Sequence, residues 1–553
     1  MVVSPIRFVY IKTILMKKQF LLLLFLFSIS NMFAQAWKHY PYTTPNSLLT
    51  FPQDEGWHDQ EPIEWWYTNA HLTGQNTGHE YAIMMTFFGY DTAFVDGFRI
   101  LNISDQTTGE FKTGTGFLLY PILAKDHLEI KATQLLTGQT EQWYTKKDSA
   151  GNYLPFQYRI ESHGSPGAIS LDYDAFKPPL IVADSGYLDQ GSVNYTYYYS
   201  QTGMNVSGEI TFKGVTEPVA GIGWIDRQYG NFNPNTGEAY EWFSLQLSNG
   251  MDFNLWNIFT DQGTVPDNAA YRILAMYIDE NTQKTIHDFK LERPQYAYTS
   301  LTNNCYANQW HLTSDTLDID LMITLQSKDD EVLIPFPFLE GSTQIEGTIQ
   351  GQAVTGKGFA ELLHRYEPPN MAFTAPTAAG SWNVSQPITW HLSNPDDGRP
   401  IQYDVWVRKQ DLTDYTQVAT GLTDTFFLWD DAGFPDDAYW FKVVGYSADK
   451  TLMDSIVTDM PYLLHPLAIT DPMLAQKIKI NPNPAQTTLK VSCDCDGTAQ
   501  IMDIQGKNVW ATFSLRKNQT QLLDVSQMEE GTYLMVVKSK GFVSSRKWVK
   551  VRK

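Results

Sequence analysis

Cysteine is scarce in this 553-residue chain, which contains only Cys305, Cys493 and Cys495. A small secreted domain held together by disulfides needs a dense set of cysteines, so three exclude that class of protein. A single residue separates Cys493 from Cys495, a spacing too short for a zinc knuckle, and no second pair of Cys or His lies near them. We therefore expect the cysteines to be incidental to function.

Basic residues are also in deficit. Only 40 residues are Lys or Arg against 61 Asp and Glu, and the formal net charge is −21. Such a charge argues against nucleic acid or an anionic membrane surface as a partner. The sequence lacks a glycine-rich phosphate loop, a dinucleotide fingerprint and a G-x-S-x-G elbow. These absences argue against nucleotide and serine-hydrolase chemistry, and we expect no cofactor.

Long apolar runs are missing beyond the start of the chain. Met16 is followed by two lysines, an apolar run over residues 20–27 and small residues at 34–36. This order is typical of a secretory signal peptide, with translation starting at Met16 and the signal segment covering residues 1–36. The alternative is a membrane anchor, but the apolar run is shorter than a bilayer requires. We expect an exported protein whose mature chain has no transmembrane segment.

Sustained helical periodicity is lacking in the first 470 residues, whereas aromatic residues make up 14% of the chain. Apolar and polar residues alternate in short stretches, broken by Gly, Asn and Pro, over residues 37–213 and again over residues 214–367. A period of two with frequent turn residues predicts antiparallel β-sheet. The fold class is therefore predicted to be all-β.

The strongest hairpin signal lies at residues 240–259, where Asn249-Gly250 separates two alternating stretches. A two-residue Asn-Gly loop is typical of a type I′ turn, and it would pair Gln246 with Phe253. In that register both faces of the hairpin mix polar and aromatic residues. Such faces are expected where a barrel wall divides a cavity from a packed interface.

Two short runs combine large aromatic rings with ionisable groups. They are EWWY at residues 64–67 and GIGWIDRQYG at residues 221–230. Burying carboxylates beside indoles is costly, so such runs favour a lined pocket over ordinary core. At these runs, and at the glycine-led strand over residues 356–362, the chain resembles the AttH/CrtC family of lipocalin-like proteins.

The resemblance implies a first lipocalin-like antiparallel barrel at residues 37–213 and a second at residues 214–367. Carotenoid 1,2-hydratases and kievitone hydratase are similar proteins of that family. It therefore implies a hydrophobic small-molecule ligand, isoprenoid-like or polycyclic, and a hydratase or isomerase as the enzyme class. Two small β-sandwiches are expected to follow the barrels.

The first of these sandwiches follows a proline break at residues 367–370 and covers residues 370–470. Trp390 and the aromatic strand over residues 439–446 make it similar to a fibronectin type III domain. The second, residues 475–553, carries NPNP, D-x-x-G-K, G-x-Y and a basic end in that order. It resembles the C-terminal sorting domain of the type IX secretion system. This implies that system as partner, with export through the periplasm to the medium or surface of a Bacteroidetes-type bacterium.

Asp226 is the first candidate catalytic acid, because the resemblance implies proton donors among the acidic residues of the second barrel. Hydration of an alkene requires an acid, aromatic faces for the carbocation and a held water. Trp224 and Tyr229 would form walls, and Ser244 and Gln246 would hold the water. Alternatively, Asp226 has a structural role, capping a turn or pairing with its neighbour.

That neighbour is Arg227, which stands where several enzymes of the family carry His; the substitution bears on any proton relay. Glu64 is the second candidate acid, held protonated in an apolar wall. Alternatively it is a solvated strand end, since alternation alone places a ring on each face. The expected ligand-binding residues are Trp65, Trp66, Tyr67, Trp224, Arg227, Tyr229, Trp242, Ser244 and Gln246.

Acidic and histidine side chains cluster early in the chain, at His58, Asp59, Glu61, Glu64, His71 and His79. Their spacing fits neither an H-E-x-x-H helix nor an EF-hand loop, so we expect no metal site. Three functions stay open on the sequence: a hydratase or isomerase, a non-catalytic carrier of a hydrophobic ligand, and a surface adhesion protein.

Overall fold

The computed structural model describes residues 36–90, 94–377, 381–383, 386–430, 433–435, 437–465, 477–504, 507–539 and 542–552. Almost all of the predicted signal segment lies outside these residues. The chain forms two compact units. The first comprises Met1–Pro368, Asn394–Ile401 and Tyr446–Met453, and the second comprises Pro369–Ser393, Gln402–Gly445 and Asp454–Lys553.

The first sheet contains twelve strands among the described residues. They are β1 (Ile63–Gly74), β2 (Glu80–Gly89), β3 (Gly97–Asp105), β4 (Glu110–Leu123), β5 (Glu129–Gln134), β6 (Thr140–Lys147), β7 (Tyr153–Gly164), β8 (Gly167–Ala175), β9 (Leu180–Ile181), β10 (Tyr187–Gln190), β11 (Asn194–Phe212) and β12 (Val215–Asn231). Pairing runs from β11 through β12 and β1 to β8, and β8 pairs with β11 again. The sheet therefore closes into a barrel, and β9 and β10 pair with β11 beside it.

The position of β12 corrects the predicted boundary between residues 213 and 214. β12 pairs with β11 on one side and β1 on the other, both antiparallel. The run at residues 221–230 therefore belongs to the wall of the first barrel. Lys213 and Gly214 form the tight turn between β11 and β12, both at positive φ. A turn signal at that point marks a hairpin inside one barrel.

The second sheet follows in the same unit. Its strands are β13 (Ala239–Leu247), β14 (Asp252–Phe259), β15 (Arg272–Asp279), β16 (Thr282–Ile286), β17 (Lys290–Tyr298), β18 (Cys305–Ser314), β19 (Ile319–Leu325), β20 (Glu331–Val332), β21 (Phe338–Ile349) and β22 (Gln352–Leu362). The order is β16-β15-β14-β13-β22-β21-β19-β18-β17, with β20 beside β21. The outermost strands do not pair among the described residues, so this sheet is a half-barrel.

The β13–β14 hairpin has a register one residue away from the predicted one. Gln246 pairs with Asp252, and Leu245 pairs with Phe253. The loop has three residues, and Gly250 adopts φ +88°, as in a type I turn closed by a bulge. A one-residue slip exchanges the two faces of a strand. In the observed register one face is apolar core and the other carries the polar and indole groups.

Three apolar clusters organise the first unit. One fills the closed barrel and includes Trp66, and another fills the half-barrel and includes Phe243. The third, which includes Trp224 and Trp242, lies between the two sheets. The outer face of the closed barrel is thus a packed interface, which explains why β1, β2 and residues 223–230 of β12 are buried on both faces.

Two short 3₁₀ helices, Gln53–Glu55 and Pro234–Thr236, complete the first unit. Strands of the next region are β23 (Met371–Ala375), β24 (Ser381–Asn383), β25 (Ile388–Leu392), β26 (Ile401–Lys409), β27 (Thr416–Leu422), β28 (Phe426–Phe427), β29 (Ala438–Ser447), β30 (Met453–Val457) and β31 (Tyr462–His465). They form a three-stranded sheet, β23-β25-β28, and a six-stranded sheet around β29.

The tail contains two further small sheets. Its strands are β32 (Ile478–Asn481), β33 (Thr488–Cys493), β34 (Gly497–Asp503), β35 (Phe513–Leu515), β36 (Thr520–Asp524), β37 (Gly531–Ser539) and β38 (Phe542–Lys550). A disulfide joins Cys493 to Cys495, so these residues are a cross-link within the tail, whereas Cys305 is a buried free thiol. The predicted all-β class is confirmed. Within the described part of the chain, no helix has the length and apolar character needed to cross a membrane.

Candidate functional site

A cavity of about 430 Å³ lies between the closed barrel and the second sheet. Strands β1, β2, β3 and β12 supply one wall, and β13, β14, β21 and β22 supply the other. The lining residues are Pro62, Ile63, Trp65, Tyr67, Met84, Thr86, Phe88, Tyr90, Phe98, Ile100, Gln190, Asp226, Gln228, Phe232, Tyr240, Trp242, Trp256, Pro335, Phe336, Phe338 and Glu361. Most of this surface is aromatic or aliphatic, with a few convergent polar groups, as in small-molecule sites generally.

Strand alternation decides which signature residues reach the cavity. β1 and β12 are antiparallel neighbours, and Tyr67 is opposite Asp226 in the register. Successive side chains of a strand point to opposite faces, so Trp65, Tyr67 and Asp226 face the cavity. The intervening residues face the interior of the barrel. The two signature runs are therefore adjacent in space, although about half of each run contributes to the cavity wall.

Asp226 lies at the inner wall of the cavity and is 3% exposed. Its Oδ1 accepts a hydrogen bond of 2.6 Å from Trp224 Nε1, and its Oδ2 accepts one from the Tyr198 hydroxyl. Trp242 Nε1 donates to the same hydroxyl at 2.9 Å. Burial outweighs these hydrogen bonds and raises the pKa of Asp226 to about 7.

A pair of glutamates lies close to Asp226, and sequence reasoning missed both. Glu340 and Glu361 are cross-strand partners on β21 and β22. The Tyr67 hydroxyl donates to Glu340 Oε1 at 2.8 Å, and the Tyr240 hydroxyl donates to Glu361 Oε1. Burial raises the pKa of both carboxyls, and the neighbouring charge of Glu361 raises that of Glu340 further. Like charges this close favour one shared proton over two carboxylates.

The only sequence signal for these glutamates is weak. Each interrupts an apolar stretch, FLEG at residues 338–341 and FAEL at residues 359–362. A glutamate in a buried strand is unusual and marks a candidate polar site. Pairing between β21 and β22 is needed to bring them together.

Glu64 and Arg227 form a buried ion pair inside the barrel, on the face opposite the cavity. The guanidinium donates to Glu64 Oε1 and lies 4.0 Å over the ring of Trp66. It also donates to the carbonyl oxygen of Gly56 at 2.5 Å. Glu64 accepts a further hydrogen bond from the His58 amide at 2.9 Å. Neither Glu64 nor Trp66 nor Arg227 lines the cavity.

Tyr229 also faces the barrel interior. Its ring stacks on His58 at 3.5 Å, and its hydroxyl donates to Asp54 Oδ1 at 2.5 Å. Ser244 Oγ accepts a bond of 3.0 Å from Asn69, and Gln246 donates to the Gly223 carbonyl at 3.1 Å. Tyr229, Ser244 and Gln246 are therefore not on the cavity wall. Trp242 lines the cavity, and Trp224 donates a hydrogen bond to Asp226.

The early histidines and acids do not converge. His79 Nδ1 lies 2.9 Å from Asp105, His71 packs against Phe359, and His58 contacts Glu64. In the described residues, no three side chains of His, Cys, Asp or Glu form a group that could hold a metal ion.

Apolar residues surround the opening of the cavity. Residues 333–336 are all exposed, including Ile334 at 56% and Phe336 at 44%. Phe336 and the adjacent Pro335 also line the cavity. The exposed apolar run therefore extends to the cavity wall.

The raised pKa of Asp226 predicts a pH dependence of stability. An unfolded aspartate titrates near 3.9, whereas the folded one holds its proton to about pH 7. The folded state therefore binds more protons between these values, and its stability falls as the pH rises through them. The free energy of unfolding of the parent should therefore decrease between pH 5 and pH 7. In Asp226→Asn this decrease should be smaller by about 2 kcal/mol, as measured by denaturant titration at the two pH values.

Asp189→Asn is the control for this titration, because Asp189 is exposed on β10. Its loss over the same pH interval should equal that of the parent. Equal losses in all three proteins would mean that Asp226 ionises in the folded state as it does in the unfolded chain.

Comparison with known families identifies two parts of the chain. Residues 42–366 match the AttH-like family, and residues 479–551 match the secretion system C-terminal sorting domain. The resemblances to the AttH/CrtC family and to the type IX sorting domain are therefore confirmed. A sorting domain supports secretion or cell-surface localisation and implies the secretion machinery as a partner.

A search of curated protein sequences finds no match to this chain. Among solved structures, an AttH protein of Nitrosomonas europaea is 21% identical, covering 58% of this chain and 98% of that one, with a TM-score of 0.48. Kievitone hydratase of Nectria haematococca is 15% identical, covering 59% and 98% of the two chains, with a TM-score of 0.46. Because the family match spans more than half of the residues, the chain belongs to the AttH-like family.

Proposed function

We propose that this protein binds an apolar, isoprenoid-like or polycyclic molecule in the cavity between its two sheets. We further propose that the protein hydrates or isomerises a double bond of that molecule, with Asp226 as the general acid. One observation carries the proposal: a buried carboxyl at the wall of an aromatic cavity, with its pKa raised to about 7. A general acid works best when its pKa is near the ambient pH.

The reaction would begin with transfer of the Asp226 proton to the less substituted alkene carbon. A tertiary carbocation forms at the other carbon, and the faces of Trp65, Trp242 and Trp256 stabilise it. A solvent water then adds to the cation, and its excess proton returns to the carboxylate. In an isomerisation the carboxylate would instead remove a proton from the adjacent carbon. Either route regenerates the acid.

A non-catalytic carrier is the second candidate. Both Asp226 oxygens accept hydrogen bonds from fixed donors, Trp224 and Tyr198, an arrangement that also suits a purely structural carboxyl. Mass spectrometry of small molecules that co-purify with the protein distinguishes the two functions. Incubation with an unsaturated ligand should yield a product heavier by one water or isomeric with the ligand. A ligand recovered only unchanged would support the carrier.

A second proposal concerns the route of export. We propose that the segment at residues 16–36 directs the chain to the periplasm and that the tail then directs it across the outer membrane. Deletion of residues 475–553 should leave the protein in the periplasm, as judged by fractionation and immunoblotting. The same yield in the medium with and without the tail would contradict this route.

A further inference from the structure

Asp226, Glu340 and Glu361 share a property that sets them apart from several other buried acids of the same unit. None of the three forms an ion pair with Lys, Arg or His in the part of the chain that the structure describes. Their hydrogen-bond donors are instead neutral hydroxyl and indole groups. The titratable groups that face the three acids are one another and the tyrosines of three strands, namely Tyr67, Tyr198 and Tyr240.

Three other buried carboxylates of this unit are paired with cations. Glu141 is bound by Arg99 at 2.8 Å, and Glu241 is bound by Arg293 at 2.6 Å. Asp252 is bound by Lys177 at 2.5 Å. Burying a carboxylate without such a partner is costly, so buried acids are normally paired. Glu55, Glu217 and Glu331 likewise lack an ion pair among the described residues and accept hydrogen bonds from neutral groups, but they do not line the cavity. The unpaired acids on the cavity wall are Asp226 and Glu361.

Glu340 lies beside Glu361 and is 2% exposed. Its Oε1 accepts from Tyr67, and the proton that it shares with Glu361 provides the other hydrogen bond available to it among the described residues. When that proton is lost, no ion pair of the described residues balances the charge of the two carboxylates. Of the two, Glu361 lines the cavity directly.

Aromatic faces complete the surroundings. The aromatic rings that line the cavity with the acids include Trp65, Tyr67, Tyr240, Trp242 and Trp256. Rings of this type attract a cation through their negative faces, most strongly when the site is desolvated. Acids without a counter-ion and aromatic faces thus favour the same charge.

We propose that the cavity recognises a positive charge carried by an apolar skeleton, bound between the aromatic rings and the unpaired carboxyls. This inference rests on the proposed function, because it assumes that the cavity is the ligand site. A permanent ammonium group and a carbocation formed during an alkene reaction share this chemistry. The carboxyls provide the counter-charge, and a bound cation therefore favours their ionised form.

Two probes of equal shape test the charge preference. Benzyltrimethylammonium and neopentylbenzene differ only in a charged nitrogen replacing a neutral carbon. We would measure both affinities by calorimetry on the purified full chain. The ammonium is titrated into the protein, and the protein is titrated into the sparingly soluble hydrocarbon. The ammonium should bind at least about tenfold more tightly, which is the effect expected of a desolvated cation among aromatic rings and acids. Its binding at pH 6 should also release protons, seen as a heat that depends on the buffer.

Glu361→Gln keeps the shape of the side chain and removes its charge. This variant should reduce the preference for the ammonium to below about threefold and leave the affinity for neopentylbenzene unchanged. Equal affinities of the two probes, or tighter binding of the hydrocarbon, would overturn the charge preference and leave the proposed ligand site intact. No binding of either probe would overturn both proposals. An amine already bound to the purified protein would identify a permanent cation, whereas a neutral alkene would identify a developing one.

Discussion

Arg227→Met is expected to lower the free energy of unfolding by about 3–5 kcal/mol, because it removes the guanidinium and leaves the buried Glu64 carboxylate with only its contacts to His58. Arg227 is 1% exposed, so water cannot replace the lost hydrogen bonds. The guanidinium also joins β12 to the Gly56 carbonyl, a contact that no methionine can make. Denaturant titration followed by tryptophan fluorescence would measure the loss.

The double variant Glu64→Met/Arg227→Met separates the ion pair from the packing. Replacing both partners by apolar side chains removes the unpaired charge, so most of the lost stability should return. Ligand affinity per folded molecule should be unchanged in both proteins, since the pair lies on the face opposite the cavity. A stable single variant that fails to bind ligand would instead make Arg227 a ligand-binding residue.

Part of the arrangement of residues 64–67 can be predicted from the sequence. The alternation within EWWY predicts that Trp65 and Tyr67 share one face and that Glu64 and Trp66 share the other. It cannot tell which face meets the cavity, because both faces of β1 are buried, one in the barrel and one against the second sheet. All four residues are therefore candidates for the cavity wall on the sequence alone. The packing of the two sheets places Trp65 and Tyr67 there.

Two further misses have the same physical origin. The pairing of Glu340 with Glu361 depends on strands that meet only after folding, and neither residue carries a motif. The slip at the β13–β14 hairpin arose because one additional loop residue, with Gly250 at positive φ, is compatible with the same Asn-Gly signal. Local chemistry predicts that a turn exists, whereas its length is fixed by the burial of Leu245 and Phe253 in the half-barrel core.

The observed register has a consequence for the site. It puts Trp242 and Trp256 opposite one another and on the same face, where both line the cavity. Trp242 also donates to the hydroxyl that donates to Asp226. The second sheet therefore contributes both the aromatic wall and part of the support of the acid on the first sheet. The proposed catalysis therefore depends on both sheets.

Asp226→Asn is expected to lower turnover of a bound alkene by about 10²–10⁴-fold, the usual contribution of a positioned general acid. Asparagine has nearly the same shape, so the aromatic wall and the affinity for the alkene should be nearly unchanged. The amide cannot deliver a proton to carbon, and only the chemical step should be lost. Mass spectrometry of the hydrated product and calorimetry of ligand binding measure the two quantities separately.

Glu64→Gln is the matched control, because Glu64 is an equally buried acid on the neighbouring strand but faces the barrel interior. Its turnover per folded molecule should equal that of the parent, although its stability should be lower. Loss of turnover in this variant, with normal turnover in Asp226→Asn, would identify Glu64, on the other face of the sheet, as the catalytic acid. Normal turnover in both would leave the carboxyl pair of Glu340 and Glu361 as the proton source, since these are the other acids beside the cavity wall.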